Sequence, residues 1–272
     1  MRKQFPLGLA LAGLLLAAVP ADGADDQTWP PPGVSLHGDA NAPDISGLWM
    51  GTAMAVPGQG PANNSGKTAD GRSPLYLTPW PLPFTPAYQK IADEREVAAK
   101  AGRALGDIGA RCLPFGLPLM LLNKNYPDEI VQTPGVTSIF MFSTFPIMIW
   151  TDGRDHPKDL QPSYNGHSIG HWVGDTLFVD TVGIKDTTTI DGMRHPHSGK
   201  LHIVWSIQRV AKDILHTHIT LYDEDAFTEP VTTTNIWERK TDRKWEMLDD
   251  GSCFENASGI SEKPVEEGFI RF

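Results

Sequence analysis

The 272-residue chain has only two cysteines, no block of consecutive Lys and Arg, and no long apolar run beyond its first twenty residues. Each shortage excludes something. Without a C-x-x-C pair there is neither a thioredoxin-type redox motif nor the ligand spacing of a four-Cys zinc site. With 23 Lys+Arg against 33 Asp+Glu and a net charge of −10, the chain lacks the cationic surface that nucleic acid requires, so no nucleic-acid partner is expected. G-x-S-x-G, the phosphate-binding P-loop and G-x-G-x-x-G are all absent, which removes the nucleophile elbow and the common nucleotide cradles. No organic cofactor is therefore expected.

What is present begins with an export signal. Arg2 and Lys3 precede an apolar stretch from Leu7 to Val19, and Val19-Pro20-Ala21 places small residues where a signal peptidase cuts. Those 13 residues fall short of the roughly 20 that span a bilayer, so residues 1–21 read as a Sec-type signal peptide and not as a transmembrane anchor. Cleavage after Ala21 removes two cations and no acids, taking the net charge from −10 to −12 in a periplasmic or secreted protein. Residues 22–43, with Pro30-Pro31-Pro32, read as an extended lead-in, and 44–272 as a single β-rich domain. Oxidising surroundings favour a bridge between Cys112 and Cys253; a Cys nucleophile is the alternative, but neither Cys sits in such a motif.

The 26 Gly and 23 Pro argue against long helices. One helix is readable. Thr85 is placed to cap it, Pro86 suits its first position, and Tyr88 to about Leu105 sets Ile91, Ala98 and Ala101 on one thin apolar face. From Ile130 onward, runs of Val, Ile, Thr, Phe and Trp alternate with the turn pairs Asp152-Gly153, Gly174-Asp175, Lys212-Asp213 and Asp242-Arg243. That pattern predicts an antiparallel hairpin meander. A two-residue turn at Lys212-Asp213 would set Trp205 opposite Thr220 and Ile207 opposite His218. The Gly47-Leu48-Trp49 entry weakly resembles the first strand of lipocalin-like barrels. The expected fold is mainly β, a lipocalin-like barrel with one amphipathic helix, and a two-sheet sandwich is the alternative.

Chemistry-bearing residues crowd into one region. Arg154 and His156 follow the Asp152-Gly153 turn at a spacing of two, so an extended backbone points both to one side, as anion holder and proton carrier or as two wetted rim residues. Asp180, within Phe178-Val179-Asp180-Thr181-Val182, shares the face of Phe178 and Val182, where a carboxylate needs a structural Arg or a catalytic His as partner. Eight of nine histidines lie from His156 to His218. His195, His197 and His202 are candidate metal ligands, so a divalent metal is the one cofactor left open. His216 and His218 share a face with Thr220 and Tyr222 and read equally well as a solvated stripe.

The stretches Thr151-Asp152-Gly153-Arg154-Asp155-His156-Pro157 and Gly166-His167-Ser168-Ile169-Gly170, continuing through Trp172-Val173-Gly174-Asp175-Thr176-Leu177-Phe178-Val179-Asp180-Thr181, resemble a family of largely uncharacterised exported bacterial proteins. The resemblance extends from about Asp44 through Arg111-Cys112-Leu113-Pro114 to Cys253-Phe254-Glu255-Asn256. It implies a shared fold and compartment and no particular reaction. Charged residues usual in that family are replaced here by Met141-Phe142, Pro146 and Trp205-Ser206, which makes the strand faces more apolar.

Two functions follow as expectations. The first is an exported lyase or hydrolase acting on a small, partly apolar molecule. In it His156, His167, Asp180 and His197 gather at a barrel mouth, Arg154 orients the substrate, and Trp150, Tyr164, Trp172 and Trp205 line the pocket. The second is a non-catalytic lipocalin-like binding protein that uses the same side chains only to hold a ligand.

Overall fold

The computed structural model describes residues 42–55, 81–109, 112–122, 126–141 and 144–242. The expected signal peptide, most of the lead-in, and Cys253 with its bridge lie outside them.

Nine strands close into a barrel: β1 (Gly47–Ala55), β2 (Asp128–Thr133), β3 (Val136–Phe140), β4 (Ile147–Trp150), β5 (His167–Val173), β6 (Thr176–Val182), β7 (His202–Ala211), β8 (Ile214–Tyr222) and β9 (Val231–Lys240). Each pairs with its neighbours in sequence, and β1 also pairs with β9, so the sheet has no free edge. A mainly β chain in a lipocalin-like closed barrel is what the turn spacing predicted. Two details depart from a pure hairpin meander.

First, β4 and β5 run parallel, with Ile149 opposite Ser168 and Trp150 opposite Ile169. Asp152-Gly153 is therefore not a hairpin turn but the start of a crossover over residues 151–166, since parallel strands need a connection of about a dozen residues or more. Second, the turn at Lys212-Asp213 does pair Ala211 with Ile214, but a bulge between Arg209 and Ala211 adds one residue to β7. Trp205 consequently faces Ile219, and Ile207 faces Thr217, one place from the simple register.

Alternation sorts the strands into an inner and an outer surface. Trp205 and Ile207 of β7, Leu215 and Ile219 of β8, Trp237 of β9, Ile147 and Ile149 of β4 and Trp49 of β1 are all buried in one core. Inside it, Trp205 Nε1 donates to Thr181 Oγ1 at 3.0 Å, and Ser168 Oγ lies 2.8 Å from the same hydroxyl, so these three buried groups satisfy one another. Trp49 Nε1 donates to the Ile45 carbonyl at 2.8 Å, while the Arg239 guanidinium lies over its ring at 4.3 Å. That stack explains Gly47: its φ is +127°, and an added Cβ would come within 2.3 Å of Arg239 Nη1.

α2 (Leu119–Leu122) is a single apolar turn with all four side chains buried in the same core. Asn235, an inward residue of β9, donates from Nδ2 to the Leu121 carbonyl at 3.3 Å, which fixes this turn to the barrel interior. Residues 188–198 pack beside it: Thr188 Oγ1 reaches the Leu117 carbonyl at 2.6 Å. α1 (Pro86–Lys100) begins after Thr85 as expected but stops at Lys100, short of Leu105. It buries Ala92 and Ala98 and leaves most of its surface wet, and Arg95 Nη1 donates to the Arg194 carbonyl at 2.7 Å. None of the helices among the described residues is long and apolar enough to cross a membrane.

Candidate functional site

On β6, Leu177, Val179 and Thr181 point inward and are buried, so Asp180 points outward with Phe178 and Val182. On β5 the same alternation turns Ser168 inward and His167 outward. Gly166 lets the crossover enter β5 at that point: its φ is +64°, and a Cβ would meet the Val182 carbonyl oxygen at 2.5 Å. His202 opens β7, two strands from His167, and His156 comes down from the crossover.

These four side chains form one hydrogen-bonded chain on the outer wall. His167 Nδ1 lies 2.8 Å from His156 Nδ1; His156 Nε2 lies 3.0 Å from Asp180 Oδ1; His202 Nε2 lies 2.8 Å from Asp180 Oδ2. An ionised carboxylate only accepts, so both Nε2 atoms carry hydrogen. When His156 is neutral, its Nδ1 is bare and accepts from His167 Nδ1–H. The remaining nitrogen, His167 Nε2, is bare. It makes no hydrogen bond among the described residues. Burial, followed by the neighbouring His156 and Arg154, lowers the His167 pKa below its ordinary value, which keeps the ring neutral at pH 7.

His167 also lines a cleft of about 380 Å³ against the outer face of β4, together with Phe145, Met148, Trp150, Tyr164 and Lys185. Trp150 and Met148 face it because Ile147 and Ile149 take the inward positions of β4. A short parallel ladder holds the far wall: Ser163 N donates to the Gly183 carbonyl at 3.0 Å and Lys185 N to the Ser163 carbonyl at 2.9 Å. This ladder sets Lys185 Nζ 4.4 Å above the Tyr164 ring. Arg154 stacks over Trp150 at 3.9 Å and binds both carboxylate oxygens of Asp152 from Nε at 2.9 Å. Those hydrogen bonds hold the Asp152 carboxyl below its usual range and leave Arg154 already neutralised.

Of the site residues expected from the sequence, the fold brings His156, His167, Asp180, Arg154, Trp150 and Tyr164 together, though on the wall and not at a barrel mouth. The others lie elsewhere. Trp205 is in the barrel core, and Trp172 packs half-buried against that core from β5. His197 is buried near α2, where Nδ1–H donates to the Ser198 carbonyl at 2.8 Å and Nε2 meets Thr188 Oγ1 at 2.7 Å. Its burial lowers its pKa, so it stays neutral inside the protein. His195 Nδ1 is bound to buried Asp191 at 2.6 Å. The three candidate metal ligands His195, His197 and His202 therefore do not converge, and among the described residues no group of three or more His, Cys, Asp or Glu is arranged to hold a metal ion.

Two roles escaped the sequence. His202, read as a metal candidate, is the second imidazole on Asp180. Lys185 carried no signal at all: a single cation in a loop stands out only once the Ser163 ladder places it beside Tyr164. No protein-family model matches the chain, and no curated protein matches it.

Proposed function

We propose that this protein is an exported acid–base enzyme of lyase or hydrolase type, working on a small, partly apolar molecule in the cleft outside the barrel wall. The observation that carries this reading is the unpartnered Nε2 of a neutral His167, backed by His156 and then by the Asp180 carboxylate. A proton taken from a substrate at Nε2 lets the Nδ1 proton pass to His156 Nδ1. The positive charge then comes to rest beside Asp180, and the reverse passage returns the proton to a leaving group. A non-catalytic carrier could not hold its ligand inside the barrel, because Trp49, Trp205, Trp237 and α2 fill the core. It would gain nothing from a bare imidazole nitrogen with a carboxylate behind it.

The resemblance to the exported bacterial family implies no particular reaction, but its motifs cover the residues used here. Its first motif supplies Arg154 and His156 and its second supplies His167 and Asp180, stretches separate in sequence that meet at one point. The amino-terminal signal supports a periplasmic or secreted location.

A base in an apolar cleft is tested without knowing the natural substrate. Elimination of 5-nitrobenzisoxazole needs only a positioned base and a planar pocket. The parent protein should accelerate it with a rate that rises as pH passes upward through the lowered pKa of His167. His167→Ala should lose about 100-fold or more, within the usual contribution of a general base. Equal rates in the parent and the variant would end the acid–base reading.

A further inference from the structure

The chemistry of the cleft wall narrows what it can hold, an inference that rests on the site proposed above. Around its 380 Å³, no residue carries a carboxylate, and the single cation among them is Lys185. Lys185 makes no ion pair among the described residues; its ammonium has the Tyr164 ring face on one side and the cleft on the other. Two other polar side chains of the wall are already engaged. Ser163 Oγ donates to the Gly166 carbonyl at 3.0 Å, and Asn165 is held between Thr144 and the Phe145 carbonyl. Arg154, at the rim, is neutralised by Asp152.

One uncompensated ammonium calls for one negative charge. A phosphate monoester, with a second charge and more acceptors, would find neither an Arg fork nor a ring of backbone N–H groups. Phe145, Met148, Trp150 and Tyr164 supply the apolar and aromatic surface that a planar ring packs against. We propose that the cleft takes an aromatic carboxylate, its ring against Trp150 and Tyr164 and its charge on Lys185, which places an atom of the ligand within reach of His167.

Isothermal titration calorimetry with benzoate, cinnamate and 2-naphthoate, each beside its neutral amide, tests the assignment, with hexanoate as the anion that lacks a ring. At least one aryl acid should bind about tenfold or more tightly than its amide and than hexanoate. Lys185→Met should remove that advantage and leave amide binding unchanged, while Lys185→Arg should restore most of it. Raising the salt concentration should weaken the acid and spare the amide. The proposal is overturned if no acid outbinds its amide, or if Lys185→Met, shown folded by its unchanged circular dichroism, binds the acid as the parent does. The two readings fail separately. Lys185-dependent binding with an elimination rate indifferent to His167 would leave a carrier of aryl acids. His167-dependent elimination without acid binding would leave the base and remove this ligand.

Discussion

At the scale of single residues, Asp180 holds an imidazole on each of its two carboxylate oxygens. Asp180→Asn keeps the shape but supplies only one acceptor oxygen, and its amide must face one of the two rings with a donor. His156 then loses the charge that stabilises its cation. We expect kcat for the elimination assay to fall about tenfold or more, a typical loss when a charge-assisted hydrogen bond goes, with KM nearly unchanged because Asp180 is not in the cleft wall. A parallel rise in KM would assign Asp180 to binding. Part of this was legible in the sequence: alternation placed Asp180 on the apolar face of Phe178 and Val182, where a carboxylate needs a partner, and left an Arg or a His as that partner. The identity of the partners was not legible, because His156 and His202 reach Asp180 across 24 and 22 residues through a crossover and a strand pairing.

At the scale of elements, the hairpin turns at Gly174-Asp175 and Lys212-Asp213 stand where the turn pairs put them. The bulge in β7 and the parallel pairing of β4 with β5 do not show in composition, since both depend on how the strands twist and close around the barrel. The same holds for α2. Four apolar residues read as nothing in particular, yet Leu121 is fully buried and its carbonyl is tied to Asn235 of β9. Leu121→Ala should therefore cost about 2–5 kcal/mol in urea unfolding, as for other buried leucines, with an unchanged dependence on denaturant concentration. A loss below about 0.5 kcal/mol, the range of surface substitutions, would show that the turn is not part of the core.

At the scale of the whole molecule, two histidines with depressed pKa values couple folding to pH. His167 and His197 are both lowered by burial, so the unfolded chain binds protons more readily than the folded one near the ordinary histidine pKa of about 6.5. Their contribution to stability is fully present above that pH and is lost as pH falls from there through the lower folded values. Thermal midpoints should be flat from about pH 7 to 8 and fall below about pH 6.5. His197→Gln, which cannot take up that proton, should shrink the fall even if the midpoint drops overall, and an identical fall would remove His197 as a cause. The two lowered histidines thus favour the folded state at neutral and alkaline pH, where His167 is also neutral. The proton arrangement along His167, His156 and Asp180 is read by a pH titration of the histidine ring nitrogens by long-range ¹H–¹⁵N NMR. His167 should be neutral at pH 7, with Nδ1 protonated and Nε2 bare, and should titrate below its ordinary pKa. A protonated Nε2 on the neutral ring, or an imidazolium that persists above the ordinary value, would contradict the account.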